Sequence, residues 1–175
     1  AAGSARRYTL GSPFNALSQT PDGRFAFAYF TTDRQATRLL FNPNEVAVVD
    51  LDAPPSATNP VLRTVRSFGG IPNGVVFSPP MRIQGETRTL ALVLSDAYVS
   101  IVDMAHLDRS EITVRLTLPE DARAIRPEQA LFDVEGATIY LRARSSDDLY
   151  VLRLNPVTAE APTGNDFRPT LNQLA

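Results

Sequence analysis

The chain has 175 residues, 43% of them hydrophobic, and a net charge of −2. It is therefore long enough to bury a core, and it has no excess of positive charge for nucleic acid or for an anionic membrane surface. It contains no Cys, no Lys and a single His, which excludes disulfides, thiolate and Schiff-base catalysis, and multi-histidine metal sites within the chain. No apolar run approaches the roughly 18 residues of a membrane-spanning helix.

The first elements are short β-like runs divided by turn residues. Residues 6–10 form one such run, and residues 14–20 form a second run that ends at Pro21-Asp22-Gly23. This tripeptide predicts a turn because Pro presets φ and Gly tolerates a positive φ. Residues 24–31 (RFAFAYFT) are aromatic and rich in β formers, and they predict a strand.

The next part of the chain repeats this order of strand and loop. A polar loop at residues 32–44 leads into a predicted strand at residues 45–51 (EVAVVDL). A Pro-rich loop follows at residues 52–60, because Pro cannot continue a strand within a sheet. Residues 61–68 (VLRTVRSF) alternate again, and Gly69-Gly70-Ile71-Pro72 ends the run.

The whole unit recurs along the chain. Val46–Leu51 corresponds to Val99–Met104, which lies 53 positions later, and Leu149–Leu154 begins 50 positions after Val99. A period near 50 residues with four short strands per unit is typical of propeller blades, whose sheets bury their faces against neighbouring sheets.

The sequence therefore predicts an all-β fold with about three four-stranded antiparallel blades, at residues 11–68, 69–119 and 120–164. Residues 165–175 are expected to be a tail or the start of a further blade. Propellers usually have 4–8 blades, so we expect the chain to be one segment of a larger propeller. Its expected partner is another protein chain or the remaining blades.

These residues resemble the repeat of the YVTN-type β-propeller family, a WD40-like group. The resemblance rests on Pro21-Asp22-Gly23 and Val46–Asp50 in the first unit, and on Phe68-Gly69 and Val99–Asp103 in the second. The literal Tyr-Val-Thr-Asn is absent, and residues 81–88 form an insertion. The resemblance implies a bacterial repeat protein, exported to the periplasm or the cell surface, and it supports the fold better than a function.

The resemblance also suggests where a ligand would bind. In such propellers the innermost strand of each blade lines the central channel, and the loops that enter these strands form one face. Polar groups that converge at a channel mouth can hold a ligand or a partner, although they can also simply be solvated. The predicted ligand-binding residues are Asn15, Asn73, Glu128, Gln129, Asp33 and Arg34.

Other candidate sites have simpler explanations. Ser95, His106 and Asp103 could form a triad, but no Gly-x-Ser-x-Gly motif supports one, so we predict no catalytic residue. The Asp147-Asp148 pair is expected to lie in a polar turn and not to bind Ca²⁺. Asp50 recurs as Asp103 at the period of the repeat, which favours a turn role for both. The strand arginines, of which Arg63 is one, are expected to lie along apolar faces.

The expected function is a non-enzymatic binding or scaffold module without a cofactor or a metal. Two alternatives stay open. One is a lactonase-like propeller hydrolase whose site is completed by blades outside this chain. The other is a haem-carrying propeller, for which His106 would be the only iron ligand in the sequence.

Overall fold

The computed structural model describes residues 7–8, 10–12, 14–31, 42–54, 56–117, 125–144, 146–158 and 164–174. Within these ranges the chain forms fourteen strands and no helix, so there is also no helix that is long and apolar enough to cross a membrane. The strands form three four-stranded antiparallel sheets and one two-stranded hairpin. The predicted fold class, all-β with about three four-stranded antiparallel blades, is confirmed.

Sheet 1 consists of β1 (Ala16–Gln19), β2 (Phe25–Tyr29), β3 (Glu45–Asp50) and β4 (Val61–Arg66), paired in that order. The turn between β1 and β2 is the predicted Pro-Asp-Gly turn. Gly23 has a φ of 76° there, and Oγ1 of Thr20 accepts a hydrogen bond from the backbone N–H of Phe25 at 3.0 Å. Of the predicted run at residues 6–10, the described residues form no strand, and Arg6 and Thr9 lie outside the described ranges.

Sheet 2 consists of β5 (Gly74–Phe77), β8 (Leu90–Ser95), β9 (Tyr98–Asp103) and β10 (Ile112–Arg115). The insertion at residues 81–88 forms a hairpin of its own, with β6 (Met81–Ile83) and β7 (Glu86–Arg88). Its two turn residues, Gln84 and Gly85, have φ values of 54° and 82°. Positive φ at both central positions is the geometry that a tight two-residue hairpin turn requires.

Sheet 3 consists of β11 (Pro127–Asp133), β12 (Thr138–Ala143), β13 (Leu149–Pro156) and β14 (Phe167–Leu174). The prediction for residues 165–175 was wrong, because β14 pairs with β13 along its whole length and completes this sheet. Pro169 lies within β14, at the edge of the sheet, where a missing N–H is tolerated.

The three sheets stack face to face, with sheet 2 in the middle. We call the face of sheet 1 that contains Phe27 and Val48 its front; it packs on the back of sheet 2, which contains Val75 and Val93. The front of sheet 2 in turn packs on the back of sheet 3. Sheet 2 is consequently covered on both faces, and all six residues of β8 are buried. The front of sheet 2 carries Leu90, Leu92, Leu94, Val99 and Ile101, and the back of sheet 3 carries Ile139, Leu141, Tyr150, Leu152 and Leu154.

Candidate functional site

Asn15 and Asn73 occupy equivalent positions, directly before the first strands of sheets 1 and 2, β1 and β5. Each backbone N–H donates to the carbonyl at the end of the neighbouring strand, Asn15 to Tyr29 at 3.1 Å and Asn73 to Leu94 at 2.7 Å. The side chain of Asn15 is used locally, since it donates to the carbonyl of Thr31 and accepts from its N–H. The Asn73 amide instead donates to Oδ1 of Asp96 at 2.9 Å in an exposed contact.

Glu128 and Gln129 lie at the start of the first strand of sheet 3, β11. The pairing of β11 with β12 shifts register between Pro127 and Gln129. The side chains of Glu128 and Gln129 therefore do not alternate regularly between the two faces of the sheet. Glu128 forms an ion pair with Arg144. Gln129 is exposed and accepts only a long hydrogen bond, 3.5 Å, from Arg142.

A recess of about 240 Å³ opens where these strands begin. Its lining comes from all three sheets: Tyr29 from sheet 1, residues 73–76 and Leu94 from sheet 2, and residues 126–128 from sheet 3. The structure thus brings Asn73 and Glu128 together and leaves Asn15 and Gln129 outside the lining. The other two predicted residues, Asp33 and Arg34, lie outside the described residues.

Among the lining residues that sequence reasoning missed, two have polar groups at the ends of their side chains, Tyr29 and Arg126. A positional signal for Arg126 existed, because it directly precedes β11 just as Asn15 and Asn73 precede their strands. Tyr29 ends β2 and reaches the recess only because sheets 1 and 2 are stacked. The lining is apolar and polar in about equal parts, and it includes an amide, a guanidinium and a carboxylate. Such a recess can hold a partly apolar group by burial and orient it by hydrogen bonds.

A second polar constellation, which the sequence did not predict, is a buried charge cluster at the opposite margin of sheet 2. Arg88 at the end of β7 has only 1% of its side chain exposed. Its two terminal nitrogens donate to the two carboxylate oxygens of Asp166, both at 2.7 Å, and Nη1 also donates to Asp103 at 3.1 Å. Glu86 adds a third carboxylate, at 2.7 Å from Nη2.

Arg109 and His106 extend the cluster toward solvent. Nη1 of Arg109 lies 3.0 Å from Oδ1 of Asp166, close enough for an ion pair but too poorly aligned for a hydrogen bond. Nε2 of His106 lies 3.1 Å from Oε2 of Glu86. The hydrogen bond from Arg88 is the main reason why the pKa of Asp166 falls to about 2, and the same bond raises the pKa of Arg88. The contact with His106 is the main cause that lowers the pKa of Glu86.

The geometry of the cluster indicates a structural role. Its carboxylates are neutralised by arginines, and the described residues contain no group of three or more His, Asp and Glu side chains that could hold a metal ion. Ser95 cannot join His106 and Asp103 in a triad, because Ser95 pairs with Tyr98 at the start of β9 while Asp103 ends that strand. The five residue steps from Tyr98 to Asp103 separate the two ends by roughly 17 Å.

The predicted turn roles of the repeated aspartates are confirmed. Oδ1 of Asp50 accepts the N–H of Asp52 at 2.9 Å, and Oδ1 of Asp103 accepts the N–H of Ala105 at 3.0 Å. Asp148 similarly shares a local hydrogen bond with Ser146 in its turn. The prediction for Arg63 was wrong: its guanidinium reaches the loop between β9 and β10 of sheet 2, where it donates to the carbonyl of Leu107 at 2.7 Å and pairs with Glu111 at 2.7 Å.

Comparison with known proteins identifies no relative of this chain. No family model matches the chain, and neither a curated protein nor a solved structure gives a significant match. The YVTN-type resemblance therefore stays a prediction.

Proposed function

We propose that the protein is a non-enzymatic binding module of the β-propeller type, which holds a protein partner through the recess where its three sheets meet. One observation carries the proposal: a single recess is lined by residues from all three sheets, at the starts of two innermost strands. Stacked sheets place these loop ends side by side, which is how repeat proteins commonly build a binding surface from many units.

The size of the recess favours a protein or peptide partner. At about 240 Å³ it is smaller than the roughly 300–1,000 Å³ typical of pockets that enclose a drug-sized ligand. It is large enough for one inserted side chain. Val75, Val76 and Leu94 would contact the apolar part of that side chain, while Asn73 and Glu128 lie where they can bond its polar end or its backbone.

The chemistry of the recess supports binding more than turnover. Hydrolysis needs a nucleophile beside a base, or a carboxylate free to activate water. The one carboxylate at the lining, Glu128, is engaged by Arg144. A lactonase-like hydrolase is kept as the alternative, with the further catalytic groups supplied by blades outside this chain. From the resemblance we also retain the proposals of a YVTN-type repeat and an exported bacterial protein.

Selection from a phage-displayed library of random peptides on the immobilised chain tests the proposal. Enriched peptides are synthesised and their dissociation constants are measured with the wild-type chain and with Asn73→Ala and Glu128→Ala. Gln129→Ala is the matched control, because Gln129 adjoins Glu128 on β11 but does not line the recess.

We expect each recess variant to weaken peptide binding roughly tenfold or more, the size of effect at which a side chain dominates an interface, and the control to bind as wild type. Enriched peptides that bind all four proteins equally would contradict the proposed site. Failure to enrich any peptide, together with hydrolysis of lactone or ester substrates that Glu128→Ala abolishes, would favour the hydrolase.

A further inference from the structure

Gly74 lines the recess at a position where the fold does not require a glycine. It is the first residue of β5, and it is not among the glycines with a positive φ. A Cβ at this position would meet no heavy atom within 4 Å outside its chain neighbours. Glycine weakens a strand because it loses more backbone entropy on folding than alanine does. One reason for a glycine in a strand is the close approach of a ligand.

Sheet 1 has an alanine at the equivalent position. Ala16 pairs with Tyr29, and Gly74 pairs with Leu94; each follows an asparagine whose N–H donates to that partner's carbonyl. Ala16 is buried in the core cluster that joins sheets 1 and 2. Gly74 shares the face of Leu94, which packs toward sheet 3, and there the methyl group is missing and the space is open. The repeat thus accommodates a side chain at this position, and its absence from sheet 2 enlarges the recess.

The charges of the lining favour a neutral group in this space. The lining contains the guanidinium of Arg126 and the carboxylate of Glu128. An inserted cation or anion would therefore approach a like charge in partly desolvated surroundings, which is costly. A neutral polar group avoids this cost. A hydroxyl fits both kinds of partner, because it can donate to the carboxylate and accept from the amide of Asn73.

The apolar half of the lining favours an aromatic ring below that hydroxyl. Val76, Leu94 and Pro127 contribute apolar surface to the recess, whose volume is about 240 Å³. The short side chains of serine and threonine would leave much of this surface without a contact. Tyrosine carries a rigid apolar ring with a hydroxyl at its end, and for this reason it is enriched where one end of a side chain is buried and the other is polar.

We propose that the protein partner inserts a tyrosine side chain into the recess, and that Gly74 leaves the space for its ring because it has no side chain of its own. Gly74 is then a specificity-determining residue, which admits a large ring that alanine would obstruct. The inference rests on the proposed binding function and names the residue that the partner supplies.

An NMR titration of the chain, with carbon-13 in its valine and leucine methyl groups, tests the inserted residue. We expect N-acetyl-L-tyrosinamide to shift the signals of Val76 and Leu94 with a dissociation constant of about 1–10 mM. N-acetyl-L-phenylalaninamide lacks the hydroxyl and is expected to bind roughly threefold to tenfold more weakly. The arginine and glutamate amides carry a charge and are expected to bind at least about tenfold more weakly.

Gly74→Ala tests the role of the glycine. We expect it to weaken binding of the tyrosine amide roughly tenfold or more, because the added methyl group occupies the space for the ring. Its melting temperature should equal or exceed that of wild type, since the methyl group meets no neighbour and reduces the entropy of the unfolded chain. Gly11→Ala is the matched control: a Cβ there also meets no heavy atom within 4 Å, and Gly11 does not line the recess.

Equal binding of all the amides, or wild-type affinity in Gly74→Ala, would overturn the proposal. A melting temperature of Gly74→Ala well below wild type would show that the fold needs this glycine, and it would overturn the assigned role. Phage-selected peptides separate the two proposals. Peptides that lack tyrosine but depend on Asn73 and Glu128 would contradict the tyrosine inference alone, whereas failure of both the peptides and the tyrosine amide to bind would contradict the binding function as well.

Discussion

The two contacts between sheets in this chain are built from different groups. Between sheets 1 and 2 the interior contacts are apolar, and the rings of Phe27 and Phe77 meet edge to face with centroids 5.2 Å apart. Between sheets 2 and 3 the inserted hairpin adds Met81 and Ile83 to the core. The same hairpin places Arg88 in a buried cluster with Asp166 of the segment before β14.

The difference shows what the repeat itself specifies. The first contact uses residues of the four-stranded unit and an Arg63 bridge at its margin, so any two successive units could form a similar one. The second contact depends on eight inserted residues that the first unit lacks. Because of the insertion, sheet 3 is attached to sheet 2 partly through specific charged groups and not through apolar side chains alone.

The largest expected effect comes from Arg88→Met, which leaves the carboxylates of Asp103 and Asp166 without their main countercharge. Removing one partner of a buried ion pair costs about 3–5 kcal/mol of unfolding free energy. Urea denaturation measures the loss. Arg82→Met is the matched control, because Arg82 lies on the other strand of the same hairpin with an exposed side chain, and it is expected to change stability by about 0.5 kcal/mol or less.

A loss below about 1 kcal/mol for Arg88→Met, the range of a solvent-exposed ion pair, would show that the cluster does not hold sheets 2 and 3 together.

The second prediction concerns pH. The pKa of Asp166 in the folded chain, about 2, lies below its ordinary value of 3.8. Its contribution to stability is therefore complete above the ordinary value and is lost as the pH falls toward 2. The carboxylate is one-fifth exposed, so solvent screening reduces the full effect.

Urea denaturation at neutral pH and at about pH 3 should show wild type losing about 1 kcal/mol more than Asp166→Asn between the two conditions. Equal losses in the two proteins would contradict the assigned role of this carboxylate.

A smaller effect is expected in the apolar contact between sheets 1 and 2. Phe77→Leu keeps most of the buried volume but removes the edge-to-face contact with Phe27, at a cost of about 1 kcal/mol. Phe68→Leu is the control, because Phe68 is 47% exposed and makes no ring contact within the described residues. Equal melting temperatures for the two variants would exclude a special role for the aromatic pair.

The smallest effect is predicted for the charged bridge at the same contact. Arg63 and Glu111 are both about one-fifth exposed, so Glu111→Gln should destabilise the chain by only about 0.5–1 kcal/mol. The effect should shrink in high salt, which screens exposed pairs more than buried ones. A salt-independent loss as large as that of Arg88→Met would remove the distinction between the two contacts.

The strands of the repeated unit could be predicted because their signals are local. Alternating apolar residues, a Pro-Asp-Gly turn and a periodic aspartate each act over a few residues, and the structure confirms the turns at Gly23, Asp50 and Asp103. The hairpin within residues 81–88 has a local signal too, since Met81 and Ile83 alternate with polar residues before a Gln-Gly turn. Its strands were missed because the repeat pattern presented it as an insertion.

The remaining features depend on contacts between distant parts of the chain. Arg88 and Asp166 are separated by 78 positions, and no pattern in the sequence connects them. In the recess, Asn73 and Glu128 could be predicted from their positions before or at the start of the first strands of sheets 2 and 3. The contribution of Tyr29 could not, because it depends on how closely sheet 1 packs on sheet 2.

The most direct test of the front-to-back stacking is a cross-link between two sheets of one chain. Arg63 of sheet 1 and Glu111, which directly precedes β10 of sheet 2, meet across this contact with Nη2 and Oε2 2.7 Å apart. Gln129 lies on β11 of sheet 3, so sheet 2 separates it from Arg63.

Since the native chain has no Cys, cysteines can be introduced at Arg63 and Glu111 alone and treated with a short bismaleimide. The intact mass of the Arg63→Cys, Glu111→Cys chain should show one linker that bridges both thiols, whereas the control pair Arg63→Cys, Gln129→Cys should bind two linkers per chain. Two linkers on the first pair, or one bridging linker on both pairs, would contradict the front-to-back stacking.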